Sequence, residues 1–356
     1  MSNEHKMSAP IIDETATWAV RHSHHITTLS NAVAPGSDAG EQMWEIMSRL
    51  TQGYKIATTA IVQSTILLRN MSDFGAVNKS YGAFFTAPSP PARVTIACGD
   101  TMPPGIKVSL SVAMLKEDMQ NSRQGLHVQS RSYWAPANIG PYSQAISIPA
   151  SIDDAPSSSC PSVVYVAGQI PLVPSSMDFP PKAALTSEEH FKLQVVLSIQ
   201  HLWRIGQIMN VQLWTGAVAF LARNSDVPIE GRVQAATQAW KLAHSSPEPD
   251  GADDDEEDED DDGDVDVWDR MHGHHQSHRP GGAIQGHETR RPAIQSKVVP
   301  PCFVAEVEEL PRGAPIEWAS TGLTSCGSRF ELQEERSGEQ GTSYQYHRQI
   351  ARDMIS

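Results

Sequence analysis

The densest group of metal-ligating side chains lies in "MHGHHQSH", which contains His272, His274, His275 and His278. Neutral imidazole is a common ligand for zinc, copper and nickel, so this tract could hold a transition metal. Spacing alone does not make a site, because the rings need neighbouring structure to fix their orientation. We therefore predict no metal site and assign the tract to a loop.

The four cysteines, Cys98, Cys160, Cys302 and Cys326, lie far apart and form no C-x-x-C pair. This spacing excludes a zinc ribbon and a thioredoxin-type motif. The sequence has no apolar run that could span a bilayer, and the start "MSNEHKMSAPIID" lacks the apolar core of a secretory signal. We expect a soluble, cytoplasmic protein with reduced thiols and no membrane contact.

Fourteen acids account for nearly all of the net charge of -15, and no Lys or Arg interrupts them: Asp250, 253–262, Asp264, Asp266 and Asp269. So dense a block repels itself and cannot form a core, which predicts a disordered, solvated loop. A docking segment for a basic partner is the alternative. Basic residues are sparse and unclustered elsewhere, so we predict no nucleic-acid binding.

Two successive stretches of the chain predict the same order of elements. In the first, Asp38 and Glu41 have capping-box spacing before an apolar helical stripe at Met43, Ile46, Met47 and Leu50. The elements expected there are a strand at 24–30, the capped helix, a strand at 58–70, a helix at 73–85, and strands at 92–99 and 106–115. The Pro-Pro-Gly turn between the last two strands predicts a hairpin.

The second stretch repeats this pattern and adds an insertion. Its expected elements are a strand at 163–174, a helix at 190–209, a strand at 211–222, a helix at 232–244 and a second hairpin within 302–320. The repetition predicts a tandem α+β architecture. The predicted divisions are an N-terminal segment at 1–23, domain 1 at 24–117 (incomplete at its N-terminus), a linker at 118–129, domain 2 at 130–320 with the acidic and His-rich insertion at 245–297, and a tail at 321–356.

Five segments resemble the YjgF/RidA family of imine deaminases: "DFGAVNKSYGAFF", "PPARVTIACG", "ANIGPYSQA", "VYVAGQIPL" and "VEELPRGAPIEW". More narrowly, "SRSYWAPANIGPYSQA" and "LWRIGQIM" look like the paired C-terminal RidA-like (endoribonuclease L-PSP) domains of eukaryotic diphthine-ammonia ligases. The resemblance implies two chorismate-mutase-like domains, each a mixed sheet packed by two helices. It also implies self-association.

Such ligases, as the resemblance implies, use ATP and ammonia to amidate diphthine on translation elongation factor 2. Their nucleotide domain carries an S-G-G-x-D-S loop whose backbone N–H groups would cradle pyrophosphate. Neither that sequence nor G-x-x-x-x-G-K-[ST] occurs here. We therefore expect no cofactor on this chain, ATP only on a separate N-terminal domain or chain, and a role as the binding or assembly region. A free-standing imine deaminase and a non-catalytic scaffold are the alternatives.

The resemblance also implies a pair of chemical groups that neither repeat holds complete. In the family an arginine grips the substrate carboxylate and a glutamate positions water. The first repeat has Arg93 but places Ser109 at the glutamate position. The second has Cys302 at the arginine position but keeps Glu317. We therefore assign no catalytic residue.

Five residues remain candidates for ligand binding: Arg93, Asn78, Tyr142, Gly168 and Glu317. The segment at 130–145 resembles the strand that brings an aromatic ring to a neighbouring pocket. One hypothesis is a composite pocket that combines Arg93 with Tyr142 or Glu317. The alternative is that these residues are remnants of a duplicated fold, with Arg93 in a surface salt bridge.

Overall fold

The computed structural model describes residues 19–22, 26–116, 122–150, 161–245 and 299–324, and the backbone of two strands at 331–337 and 341–347. We call residues 19–116 the first unit and residues 122–324 the second unit. Each unit contains one mixed sheet and two α-helices. The α+β class predicted from the sequence is confirmed.

The first unit consists of β1 (Ala19–His22), β2 (Ile26–Ala32), α1 (Ala39–Ser48), β3 (Ile61–Leu68), α2 (Phe74–Gly82), β4 (Ala92–Ala97) and β5 (Val108–Leu115). Helix α1 begins as the sequence predicts, because Asp38 Oδ1 accepts a hydrogen bond from the Glu41 backbone N at 2.8 Å. This bond satisfies one of the free N–H groups at the helix start. The predicted apolar stripe of α1 is buried against the sheet.

The second unit consists of β6 (Gln124–Leu126), β7 (Ala145–Pro149), β8 (Ser162–Gln169), α3 (Ser187–Ile208), β9 (Leu213–Ala222), α4 (Ile229–His244), β10 (Cys302–Val307) and β11 (Ile316–Leu323). A capping box starts α3: Glu189 N donates to Thr186 Oγ1, and Thr186 N donates to Glu189 Oε2. Apolar residues of α3 spaced three and four apart then bury one face. This face and α4 form the core of the unit.

The two sheets have the same strand order. The first sheet is ordered β4-β3-β5-β2-β1, and the second is ordered β10-β9-β11-β8-β7 with β6 added beyond β7. In each sheet the edge strand is parallel to its neighbour, β4 to β3 and β10 to β9, and the other pairs are antiparallel. A helix connects each parallel pair, as a parallel crossover requires.

Both predicted hairpins are wrong. The predicted strands form β4 and β5 in one sheet and β10 and β11 in the other, but β3 lies between the first two and β9 between the second two. Helix α2 connects β3 to β4, which pairs parallel to β3 along one of its edges. Strand β5 then pairs antiparallel to β3 along the other edge. Alternating hydrophobicity identifies strands without identifying their neighbours.

The sheets extend beyond the predicted divisions at three places, one of which is the end of β11, at Leu323, within the predicted tail. Strand β1 lies before residue 24 and pairs with β2, and β6 lies within the predicted linker and pairs with β7. Apart from Ser245, the predicted insertion at 245–297 lies outside the described residues, together with its acidic and histidine-rich tracts. Within the predicted tail, β12 (Glu331–Ser337) and β13 (Gly341–His347) form an antiparallel pair.

Two apolar clusters join the units. One packs Val62, Ala92, Ala113 and Leu115 of the first unit against Ile146, Ile148 and Ala167 of the second. The other packs Val94 and Ile96 of β4 against second-unit residues that include Ile170, Leu172 and Leu310. Since apolar burial is the main favourable term in association, the two units are expected to behave as one packed body.

Candidate functional site

A cleft between the two units contains most of the residues singled out in the sequence. Its enclosed volume is about 20 Å³, slightly more than one water molecule needs. The first unit supplies residues from α2 and β4, and the second unit supplies residues from the loop before β7, from β8 and from β11. The lining residues are Phe74, Arg93, Thr95, Ile139, Tyr142, Gly168, Ile170, Pro311 and Glu317.

Arg93 on β4 is the cation of this pocket. Its side chain is buried, and its Nη1 atom has no hydrogen-bond partner among the described residues. The guanidinium carbon lies over three aromatic rings, at 5.2 Å from Tyr142, 5.3 Å from Tyr81 and 5.7 Å from Phe74. Burial lowers the pKa of Arg93, while Tyr81, Tyr142 and Glu317 act in the opposite direction. The interpretation of Arg93 as a surface salt bridge is wrong, because the side chain is buried and forms no ion pair with a described residue.

Glu317 on β11 is the acid of the pocket. Its carboxyl group is buried, and Oε2 has no hydrogen-bond partner among the described residues. Burial raises its pKa to about 8, because desolvation disfavours the charged form more than the Arg93 charge favours it. A side chain on Gly168 would overlap this carboxyl group, so the glycine provides the space that Glu317 occupies.

The loop before β7 carries Tyr142 across the guanidinium. The Tyr142 hydroxyl accepts a hydrogen bond from the Ile139 backbone N at 3.2 Å, which fixes the ring against its own loop. In the same loop, a Cβ at Gly140 would lie 2.5 Å from Arg93 Nη2 and 3.2 Å from the Asn78 amide. The absence of a side chain at 140 therefore lets the loop backbone approach both residues closely.

All five candidate residues consequently lie at or beside one cleft. Arg93, Tyr142, Gly168 and Glu317 line it directly. Asn78 lies behind the Gly140 loop, on α2. Two units contribute to this arrangement, so the composite pocket exists as a geometric feature, while the binding of a ligand there stays a prediction.

The hydrogen-bonded register of the first sheet relates Ser109 to Arg93. Ser109 on β5 lies opposite Leu67 on β3, and Leu67 lies opposite Ile96 on β4. Arg93 is three residues before Ile96 on the same strand. The position of Ser109 is thus reached from Arg93 by moving three residues along β4 and then across β3 to β5.

The second sheet repeats these steps with different residues. Glu317 on β11 lies opposite Phe220 on β9, and Phe220 lies opposite Ala305 on β10. Three residues before Ala305 is Cys302. The register therefore places Cys302 at the position of Arg93, and Glu317 at the position of Ser109, as the family resemblance implies.

Sequence reasoning missed one polar residue that lines the cleft, Thr95, and a second, Ser143, that follows a lining residue in the chain. Thr95 Oγ1 and Ser143 Oγ are buried and have no hydrogen-bond partner among the described residues. Thr95 follows Arg93 by two residues on one strand, and the period of two along a strand could have identified it. Ser143 directly follows Tyr142. Buried polar atoms without partners are rare in native proteins, and Arg93, Thr95 and Glu317 each bring one to the lining of this cleft.

Other chemical groups lie outside this cleft. Cys98 and Cys302 are free thiols, and burial raises the pKa of Cys302 to about 11, which disfavours the reactive thiolate. Cys160 and Cys326 lie outside the described residues. The described residues contain no cluster of His, Cys, Asp and Glu able to hold a metal ion. Among the described helices, none has the length and hydropathy needed to cross a membrane.

Comparison with known proteins identifies a family for part of the chain. Residues 28–114 match the family described as endoribonuclease L-PSP. The chain is 34% identical over 181 residues to the diphthine–ammonia ligase of Saccharomyces cerevisiae, covering 48% of this chain and 24% of the relative. It is 32% identical over 177 residues to the ligase of Schizosaccharomyces pombe, covering 49% and 25%. The chain spans about a quarter of the length of these relatives.

Solved structures resemble the chain at low identity. A chorismatase has a TM-score of 0.49 at 7% identity, covering 88% of this chain and 79% of that protein. NMB1025, a YjgF-family member from Neisseria meningitidis, has a TM-score of 0.26 at 18% identity, covering 30% and 91%. The sequence matches carry the assignment: residues 28–114 form an endoribonuclease L-PSP (RidA/YjgF) domain, and about half of the chain is similar to part of the diphthine–ammonia ligases.

Proposed function

We propose that this chain is the RidA-like binding and assembly region of a diphthine–ammonia ligase-type protein, and that the cleft between its units binds a small carboxylate. One observation carries the binding proposal. Arg93 and Glu317, from different units, face a single cavity, and Nη1 of the one and Oε2 of the other have no hydrogen-bond partner in the described part of the chain. The similarity to the two yeast ligases supports the assignment to this kind of protein.

The reaction of such a ligase is the ATP- and ammonia-dependent amidation of diphthine on elongation factor 2. In this proposal ATP belongs to a nucleotide-binding domain or chain with which this chain works, and elongation factor 2 is the second partner. The proposed contribution of the RidA-like region is to bind and assemble. Its location would be the cytoplasm, where the translation factor is found.

The chemistry of Arg93 favours a carboxylate as ligand. A guanidinium presents a planar fork of donors that matches a carboxylate bidentately. Here the fork is held by three aromatic rings, and no described acid pairs with it. A buried cation without a counter-charge is costly, so an anion that reaches Nη1 gains from relieving that cost. The cleft must widen to admit more than one or two atoms, which restricts the ligand to a small molecule.

Titration of the full chain with acetate and propionate, followed by NMR chemical shifts, tests this proposal. We expect Arg93→Ala to weaken binding about 10- to 100-fold, since a hydrogen bond to a charged group contributes roughly 1.5–3 kcal/mol. Cys302→Ala is the matched control, because Cys302 occupies the same position in the second sheet, and it should bind as the unmodified protein does. Equal binding by the Arg93 variant would refute the assignment.

Imine deamination is a second candidate, and the joint presence of Arg93 and Glu317 in one cleft favours it. Arg93 would hold the carboxylate of a 2-imino acid, and Glu317 would accept a proton from the water that attacks the C=N carbon. Loss of ammonia from the resulting adduct leaves a 2-oxo acid. Glu317 must be ionised to accept the proton, so the rate should rise with pH and level off above about 8.

Ammonia release from a 2-aminoacrylate-type imine tests deamination. Glu317→Gln should lower the rate about 10²- to 10⁴-fold while carboxylate binding persists, because it removes the base and leaves Arg93 in place. Release that is unchanged in this variant, or absent from the unmodified protein, excludes the deaminase. Absence of both binding and release would leave the non-catalytic scaffold.

A further inference from the structure

Strand β4 presents two polar side chains to the cleft between the units. Arg93 and Thr95 both line it, as expected for residues two apart on one strand. Val94 and Ile96, which alternate with them, belong to the apolar cluster that packs β4 against the second unit. All six residues of β4 are buried. The threonine hydroxyl therefore lies inside the contact between the units, on the same face of the strand as the arginine.

The Thr95 hydroxyl makes no hydrogen bond in the part of the chain that the structure describes. The residue is 4% exposed, and Oγ1 has no partner there. A buried polar group in this condition destabilises the folded state. Valine has nearly the same shape and the same preference for strands, and its side chain carries no polar atom. Stability alone would thus favour valine at position 95.

The second sheet has valine at the equivalent position. Its Cys302 stands where the first sheet has Arg93, so Val304 stands where the first sheet has Thr95. The sheet that lacks the arginine thus also lacks the hydroxyl. The two sheets share one strand order, so the fold itself does not require a polar group at this position. The hydroxyl accompanies the cation, which indicates a role in the chemistry of the cleft.

Three polar atoms of the residues that line the cleft have no hydrogen-bond partner among the described residues: Arg93 Nη1, Thr95 Oγ1 and Glu317 Oε2. A simple carboxylate that binds the guanidinium satisfies only the first of them. The enclosed space is about 20 Å³, so a second polar group on the ligand must lie close to its carboxylate. A group on the adjacent carbon meets this condition and offers a partner to Thr95 and Glu317.

The chemistry of these atoms favours a hydroxyl as the second group. An ammonium would place another cation near Arg93, and burial raises the pKa of Glu317 to about 8, so its carboxyl group is mostly neutral at pH 7. A carbonyl group only accepts hydrogen bonds, so it cannot pair with Glu317 once that acid is ionised. A hydroxyl both donates and accepts, so it can satisfy Thr95 and Glu317 together in either protonation state of the acid.

We propose that Thr95 is a specificity-determining residue of the cleft, and that the carboxylate it selects has a hydroxyl group on the adjacent carbon. This inference rests on the proposed carboxylate site and names the class of its ligand, the small 2-hydroxy acids. Arg93 holds the carboxylate, Thr95 Oγ1 donates to the ligand hydroxyl, and that hydroxyl donates to Glu317 Oε2. Each of the three protein atoms then has a hydrogen-bond partner.

Two acids of equal size test this assignment by NMR titration of the full chain. Glycolate and propionate differ only in a hydroxyl that replaces a methyl group. The unmodified protein should bind glycolate about 5- to 100-fold more tightly, since an unsatisfied buried polar group costs roughly 1–3 kcal/mol. Thr95→Val should remove most of this preference by weakening glycolate, while propionate binds as before. It should also raise the midpoint of thermal unfolding, because it removes the buried hydroxyl.

Thr65→Val is the matched control, because it makes the same change on the neighbouring strand β3, in a separate groove, and it should keep the preference for glycolate. Equal binding of the two acids by the unmodified protein, or an unchanged preference in Thr95→Val, would overturn the role of Thr95 and leave the carboxylate site standing. Loss of both acids in Thr95→Val would mean that the residue is structural and would overturn the role as well. If neither acid binds the unmodified protein, the carboxylate site is refuted and this inference with it.

Discussion

The first and second units have the same strand order, yet each has a different half of one chemical pair. On β4 the first unit has Arg93, and on β5 it has Ser109. On the equivalent strands the second unit has Cys302 and Glu317. Because β4 is the edge that the second unit covers, the surviving cation meets the surviving acid across the contact. The two groups that could bind a ligand therefore come together only in the pair of units.

The largest expected effect concerns whether the units fold together. Leu110 on β5 is fully buried in the first unit's core, so Leu110→Ala should cost about 2–5 kcal/mol. Because apolar clusters join the units, the second unit should unfold at the same lowered temperature. Fluorescence of its packed Trp203, Trp214, Trp240 and Trp318 reports this. Leu242→Ala, at an exposed position, is the control, and two separate transitions would show independent units.

The next prediction concerns the ionisation of Glu317, which should make the free energy of unfolding depend on pH. The pKa of Glu317 is about 8 in the folded protein, against 4.5 for an ordinary Glu, so the folded state holds its proton more tightly. Stability should be highest at low pH with respect to this group, fall as pH rises from about 4.5 to 8, and then level off. The total loss is on the order of a few kcal/mol.

Glu317→Gln should remove this fall, since an amide cannot ionise. Denaturant unfolding at several pH values measures it, with the difference between variant and unmodified protein largest above pH 8. Parallel pH profiles for the two proteins would mean that Glu317 ionises normally, and the description of its site would then be wrong.

The smallest effect compares two glycines. Gly168→Ala should destabilise the protein by about 1–3 kcal/mol and displace Glu317, because the new methyl group meets the carboxyl group. Gly75→Ala, on α2 with open space around it, should instead stabilise by about 0.5–1 kcal/mol. Thermal unfolding measures both. Similar midpoints for the two variants would contradict the close approach at Gly168.

The local elements were predictable because their signals are local. Asp38 and Glu41 cap α1, and the apolar stripe from Phe191 onward identifies α3. The neighbours of β5 and β11 were not predictable in this way, since strand order depends on where the crossover helices place the chain. Helices are identified by patterns within one segment of the sequence, whereas strand order is set by contacts between distant segments.

The pocket was predictable only in part, because some of its features are visible in the sequence and others depend on tertiary packing. The complementary losses at Ser109 and Cys302 suggested the hypothesis of a shared pocket, because each repeat lacked what the other kept. That β4 is the covered edge, and that Thr95 and Ser143 are buried with no hydrogen-bond partner among the residues described, depends on how the units pack. Packing of this kind is a tertiary property that a single sequence does not display.

A ligand held between Arg93 and Glu317 would touch both units at once. If packing of the two units against each other raises the ligand's affinity by some factor, thermodynamic reciprocity requires that the bound ligand raise the equilibrium constant for that packing by the same factor. A ligand in the cleft would thus stabilise the contact between the two units of one polypeptide. Any change elsewhere in the chain that weakens the contact between the units would therefore also lower the affinity for the ligand.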